Sequence, residues 1–140
     1  MKNGIVVKAI VVNSDEEILL PRRSKTDTRR PLQWDIPGGF YDNDNETFPV
    51  ACTREIKEES GLEVNPTNLK LIYACSDITE FGNVTWLFFI TKVTKTGVTL
   101  SYEHSEYRWV SLDQAIKLID YPRQNTLLKY VKTNNLFSLF

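Results

Sequence analysis

Arg54 to Leu62 reads REIKEESGL. Wound as a helix, the stretch puts Glu55, Glu58 and Glu59 at i, i+3 and i+4, three carboxylates on one face within about 100° of arc. Like charges at these spacings repel, by roughly 0.2–0.5 kcal/mol for each exposed pair. A solvated acidic face screened by Arg54 and Lys57 is one explanation. A ligand is the other: carboxylate oxygens suit Mg²⁺ and similar hard cations, and Mg²⁺ commonly joins protein carboxylates to substrate phosphates. Ala51, four residues before Glu55, sets a small side chain beside the acids and leaves space around them, while Cys52 and Ile56 at i and i+4 form a neighbouring core-facing pair.

Working outward, the helix runs from about Thr47 to Ser60, with Thr47 as N-cap, Pro49 tolerated in the first turn and Gly61 as the C-terminal stop. Upstream, QWDIPGGF contains Pro37, which cannot donate to a sheet ladder, and Gly38-Gly39, which permits a tight backbone path. Ile5 to Val12 is dense in β-branched residues on both faces and suits a strand buried on both sides, with Ile18-Leu19-Leu20 as its hairpin partner. Pro21 to Pro31 is polar and basic and reads as a loop. After the helix come strand-like runs at Leu69 to Cys75 and Val84 to Val93, joined by a turn containing Phe81-Gly82-Asn83. A strand around Tyr107 to Val110 then feeds a short helix with a capping-box pattern, Ser111 and Gln114, and a last helix spans Pro122 to about Asn134. Strands on either side of a central helix, with helices at the end, predict an α/β fold: one domain over residues 1–140 in which a mixed sheet is sandwiched between helices.

The chain has 140 residues, 41% hydrophobic and 25% charged, and a formal net charge of -1, so a broadly basic nucleic-acid surface is not indicated. Charge is uneven locally. Five basic residues lie within RRSKTDTRR, from Arg22 to Arg30, whereas Asp42 through Glu59 is rich in acids. A basic loop beside an acidic helix could hold an anion through a bridging cation; taken alone, the loop is a solvated one. Cys52 and Cys75 match no CxxC spacing and read as reduced thiols. The N-terminal MKNGIVVKAIVVNSDEE has no cleavage-site pattern, and no run approaches the ~20 apolar residues of a membrane helix. The expectation is a cytoplasmic protein with no membrane partner.

PGGF ahead of the helix, Arg54 immediately before the acids and ESG at its end together resemble the Nudix hydrolase family, in its MutT-like branch, whose signature is GX5EX7REUXEEXGU with U aliphatic. Glu46, seven intervening residues and then REIKEESGL match that pattern from its first glutamate onward. The opening glycine departs from it: six residues, FYDNDN, separate Gly39 from Glu46, one more than the pattern allows. The box spans residues 39–62. ILLPRRS and EHSEYRWVSLDQA look like flanking strands of MutT-like members.

The resemblance implies a Nudix-type α/β/α sandwich and hydrolysis of a pyrophosphate linkage in a nucleoside di- or triphosphate derivative, using Mg²⁺ or Mn²⁺ and an attacking water. Carried over by position, it implies Glu55, Glu58 and Glu59 as metal ligands with the main-chain carbonyl of Gly39 as a further one. Arg54 and Glu46 would orient the ligand carboxylates. It places a further ligand or base ahead of Trp109, with Glu103 preferred over Glu106 and His104. Trp34, Phe81 and Trp86 are candidates for stacking on a nucleobase, Trp86 being the one most readily explained as core, and Arg22 and Arg23 are candidate phosphate contacts. Asp77-Ile78 and Thr79-Glu80 stand where ADP-ribose and dinucleoside polyphosphate hydrolases of the family carry a proline and a tyrosine. By elimination the substrate is a nucleoside triphosphate, an oxidised one included, cleaved to a monophosphate and pyrophosphate. The competing readings are a non-catalytic Nudix-type sensor of a nucleotide or a protein, and an RNA-decapping enzyme, which would want a more basic surface. The resemblance implies a monomer or homodimer with no stable nucleic-acid partner.

Overall fold

β1 (Lys2–Val12) is the axis of the molecule, in a computed structural model that describes residues 2–42 and 44–140. Its β-branched residues divide by parity, as a two-sided strand requires. Val7, Ala9 and Val11 pack with one core, and Val6, Ile10 and Val12 with the other. One edge of β1 pairs in parallel along its whole length with β5 (Gly82–Lys92), which turns back from β4 (Lys70–Thr79). These two strands are longer than the apolar runs that predicted them, because the turn between them is confined to Glu80 and Phe81.

The other edge of β1 is shared. β2 (Ile18–Arg23) leaves its hairpin after the single register pair Val12↔Ile18 and crosses to β6 (His104–Val110). The rest of the edge goes to β3 (Gly38–Phe40), a short strand where the sequence indicates only a tight backbone path. Its ladder begins just past Pro37, whose carbonyl accepts from the Ala9 N–H at 2.9 Å, so the proline's missing donor is not called on. Helices cover both faces of this mixed sheet. α1 (Phe48–Ser60) lies on one, and α2 (Leu112–Leu118) and α3 (Pro122–Thr133) on the other.

The caps are those the sequence predicts. Thr47 accepts from the Val50 N–H, Gly61 ends α1 at φ 76°, and the reciprocal Ser111–Gln114 box starts α2. Ala51 is a correction: it is fully buried with Cys52 and Ile56, where its small side chain packs α1 against the sheet, and it does not border the open space beside the acids. Asn43, inside FYDNDN, and Met1, at the head of the N-terminal run, lie outside the described residues. No helix among the described residues is long and apolar enough to cross a membrane.

Because β2 diverges from β1, a gap opens between them, and Trp34 to Pro37 runs back through it. Asp35 is buried there at 2% exposure. Its Oδ1 accepts from Lys8 Nζ at 3.2 Å and from Gln124 Nε2 at 2.6 Å. Its Oδ2 accepts from Arg23 Nη1 at 2.8 Å and lies 3.5 Å from Arg30 Nη2. Burial alone would raise the Asp35 carboxyl, but Lys8 and Arg30, with the Gln124 hydrogen bond and Arg23, hold it well below the usual carboxylate range. Asp27 is held at about 2 despite its own partial burial, by Arg23 and by the backbone N–H groups of Arg30 and Arg29.

Two outcomes follow from this cluster. Asp35→Ala strands Lys8, Arg23 and Arg30 without their shared anion and should destabilise the fold by about 3–5 kcal/mol, read by urea denaturation. Both carboxyls are depressed in the folded state, so the native protein binds fewer protons than the unfolded chain at low pH. Their stabilisation is complete above about pH 4, near the unfolded value, and is lost as pH falls through the folded values. Unfolding free energy should therefore drop between about pH 4 and pH 2, with a shallower slope in Asp27→Asn.

Candidate active site

A cleft of about 1020 Å³ opens where α1, β3, the loop before Trp34, the tip of the β4–β5 hairpin and the start of α3 meet. One wall is acidic. Glu55, Glu58 and Glu59 face it from α1, and Gly38 and Gly39 from β3. Arg54 links the acids: its Nε bonds both oxygens of Glu46 at 3.0 Å, and its Nη1 donates to Glu55 Oε1 at 3.2 Å and to Glu58 Oε1 at 3.3 Å. One guanidinium edge thus stands between two carboxylates and supplies positive charge there.

The three acids differ in environment. Glu58 is exposed. Glu55 is half-buried, and burial, with Glu58 beside it, raises its carboxyl against the pull of Arg54. Glu59 is buried and pushed up to about 8, first by burial and then by Asp35 and Glu55, with Lys8 and the Gly38 N–H opposing. That N–H donates to Glu59 Oε2 at 3.1 Å. Gly39 lies close against Glu55. A Cβ built there would sit 2.8 Å from Glu55 Oε2, so only a glycine lets the main chain and this carboxylate share the space.

The extra residue of FYDNDN leaves this geometry in place, because both ends of the segment are held. The Tyr41 N–H extends the β3 ladder to Ile5 O at 2.8 Å, and its hydroxyl donates to the main-chain oxygen of Glu46 at 2.5 Å. Its ring stands edge-on to Phe48 at 4.8 Å.

All-oxygen donors of this kind suit a hard divalent cation. Glu55, Glu58 and Glu59 line an open cleft with room for one, and the raised Glu55 and Glu59 carboxyls are groups whose charged form a cation would favour. As they stand, no three His, Cys, Asp or Glu side chains among the described residues converge on one point; Glu55 and Glu58 are turned to Arg54 instead.

The opposite wall is cationic and aromatic, with Arg23, Arg29, Arg30, Arg123, Phe81, Trp86 and Tyr121. Of the three residues considered as base, only Glu103 lines the cleft; it is exposed, and its charge raises Glu55. Glu106 pairs with Arg22 at 3.8 Å and Arg108 at 3.7 Å instead. His104 is buried and pushed down to about 4, chiefly by that burial, and so is neutral near pH 7.

Arg22 and Trp34 do not line the cleft. Trp34 is buried in the core under the guanidinium groups of Arg108 and Arg22, 4.8 and 5.5 Å from its ring. Arg23 lines the cleft but is committed to Asp27 and Asp35. Phe81 lines it at 50% exposure with Arg29 over one face.

The sequence reading missed Lys8, Asp35, Tyr121 and Arg123 altogether and left Arg29 and Arg30 in a solvated loop. A signal existed for Lys8, a lone charge inside IVVKAIVV, a run otherwise fit to be buried. The others are assembled by the tertiary fold and have no local pattern.

The family model of the NUDIX domain matches residues 2–131. An uncharacterized Nudix hydrolase of Nostoc sp. is 37% identical over 70 residues, which are 50% of this chain and 41% of that protein. The 8-oxo-dGDP phosphatase of Mus musculus is 30% identical over 95 residues, 68% of this chain and 26% of that one. The chain thus spans less than half the length of these two relatives. The crystal structure of the MutT protein from Methanosarcina mazei Go1 superposes with a TM-score of 0.82 at 28% identity, covering 95% of each chain. The carboxylate wall on α1, the mixed sheet under it and the match along almost the whole sequence agree: the chain belongs to the Nudix family.

Proposed function

We propose that this protein is a divalent-metal-dependent hydrolase that breaks the pyrophosphate linkage of a nucleoside di- or triphosphate derivative, acting as one Nudix domain over residues 1–140 with its box at 39–62. The observation that carries the reading is the cleft itself: Glu55, Glu58, Glu59 and the Gly39 backbone on one wall, faced by arginines on the other. Acids alone would repel a polyphosphate and arginines alone would supply no nucleophile.

Glu55, Glu58, Glu59 and the Gly39 carbonyl would hold Mg²⁺ or Mn²⁺, which would neutralise phosphate oxygens and lower the pKa of a water. Glu103, exposed on the same cleft, would take that water's proton. Arg54 acts through Glu55 and Glu58 as a positioning residue, itself aligned by the two-oxygen contact with Glu46. The substrate we favour is a nucleoside triphosphate, oxidised forms included, cleaved to a monophosphate and pyrophosphate; the name of the mouse relative, an 8-oxo-dGDP phosphatase, supports an oxidised purine nucleotide. On this reading the substrate is a small molecule rather than a nucleic acid, and the protein is a monomer or homodimer. Its free thiols, Cys52 and Cys75, suit the cytoplasm.

The test is a nucleotide panel with Mg²⁺ or Mn²⁺ and products identified, so that the attacked phosphorus is known; no release of phosphate or pyrophosphate from any member would overturn the assignment. Glu58 is exposed, so Glu58→Gln should keep the melting temperature within a few degrees while lowering kcat by at least about 10²-fold. Arg54→Gln should lower kcat/KM by about 10–100-fold without matching loss of stability. Gly39→Ala should drive the Glu55 carboxylate from its place and weaken Mn²⁺ binding, measured by electron paramagnetic resonance of the free ion. Chelation should abolish turnover in the wild type, and added Mg²⁺ should restore it.

A further inference from the structure

The wall of the cleft opposite the acids is built in an unusual way. Three of its four guanidinium groups lie over aromatic rings: Arg29 over Phe81 at 4.1 Å, Arg30 over Tyr121 at 4.3 Å, and Arg123 over Trp86 at 4.1 Å. On the covered face of each ring a nucleobase would have to displace an arginine. What the wall offers instead is the edges of guanidinium groups held in place by the rings.

Those edges are incompletely used. Arg29 makes no ion pair among the described residues. Arg30 lies 3.5 Å from Asp35 Oδ2, which Arg23 already occupies at 2.8 Å, and its Nη1 is buried with no hydrogen-bond partner among the described residues. Arg123 donates to Asp77 Oδ2 at 2.6 Å and to the Tyr121 hydroxyl at 2.7 Å, and is the best satisfied of the three. The anions on this side are Asp77, spent on Arg123, and Glu80, which lines the cleft without an ion pair to any of them. A buried donor without a partner is a costly thing for a fold to keep. Arg30, which carries it, is one of the residues lining the cleft.

We propose that Arg29, Arg30 and Arg123 form an anion subsite that takes one phosphoryl group of the substrate beyond the pyrophosphate lying against the acids, and so selects ligands that carry that extra phosphate. The proposal rests on the hydrolase reading for where the pyrophosphate lies. Contacts link Lys8 through Asp35 and Arg30 to Tyr121 and Arg123, and among the described residues these arginines pair with Asp35 and Asp77 while Glu55 and Glu58 pair with Arg54, which sets the subsite apart from the acids. Two sources share the chemistry: the terminal phosphate of a nucleoside triphosphate, or a phosphate on the sugar of a nucleoside diphosphate derivative.

Arg29 is exposed and serves as the test position, since Arg30 holds the buried cluster together. Binding of inorganic tripolyphosphate to the metal-free protein, titrated at fixed ionic strength by calorimetry, should weaken about tenfold in Arg29→Gln. Arg108→Gln, which removes an equal charge outside the cleft, should leave it unchanged. An equal loss in both variants, or none in Arg29→Gln, overturns the subsite. This binding readout stands even if no nucleotide is turned over, in which case the hydrolase reading fails and the subsite does not.

With turnover, the sources separate by matched pairs. If kcat/KM for dGTP falls about tenfold in Arg29→Gln while that for dGDP holds, the tail phosphate occupies the subsite. The same contrast between NADP⁺ and NAD⁺ assigns a sugar phosphate. A uniform fall across both members of both pairs contradicts the proposal.

Discussion

Asp35 is the point on which the architecture turns. A sheet that splits leaves unpaired backbone and a void between the diverging strands, and both must be filled by something that can satisfy polar groups. The segment from Trp34 to Pro37 does this, donating from the Asp35 N–H to Pro21 O and accepting at Pro37 O from Ala9. The side chain it brings in is a carboxylate, and Lys8 of β1 and Arg23 of β2 reach it from the two sides of the split. A buried ion cluster is weak evidence for stability as such. Its consequence is geometric: it fixes how far β2 stands from β1, and with that the floor of the cleft.

The same cluster divides the cleft electrically. Lys8, Arg23 and Arg30 outnumber Asp27 and Asp35, so the floor carries excess positive charge toward the arginine wall. Across from it Glu59 sits buried with, among the described residues, only the Gly38 N–H as a hydrogen-bond donor, and Glu55 and Glu58 share one edge of Arg54. Arg54 answers the question that REIKEESGL raises. The repulsion of the three acids is tolerable in the free protein because an arginine held by Glu46 stands among them. Such a partly exposed pairing is weak, worth ~1 kcal/mol or less for each contact. A competing cation can therefore replace it at little cost.

What could be read from the sequence follows from how local each feature is. The helix, its caps and the acid spacing are set within a few turns by 3.6-residue periodicity and by Thr47 and Gly61, so they were legible. β1 and β5 were legible because β-branched and aromatic runs buried on both faces have few other uses. β3 was not, because three residues carry no period and Gly38-Gly39 look like a turn; its strand character is imposed by β1. Arg22 and Trp34 show the limit most clearly. Both flank the right elements, but the chain's path through the split sheet turns Trp34 into the core and leaves Arg22 on its outer side. Position along a strand says which face a side chain takes only when the strand's partners are known. Those partners come from segments far apart in sequence.

The added residue in FYDNDN shows how such a family tolerates change near its chemistry. Between Phe40 and Glu46 the chain must leave β3 and reach α1 without disturbing either Gly39 or the Glu46–Arg54 contact. Tyr41 isolates the two, bonded through its N–H to β1 and through its hydroxyl to the backbone of Glu46. Length added between those anchors costs only loop-closure entropy, which grows slowly with residue number. The same residue placed before Tyr41 would shift the β3 register and turn Gly39 away from Glu55, since one step along a strand reverses every side chain. Length added after the clamp can thus alter the rim of the cleft, which Asp42 lines, and leave the acids where they are.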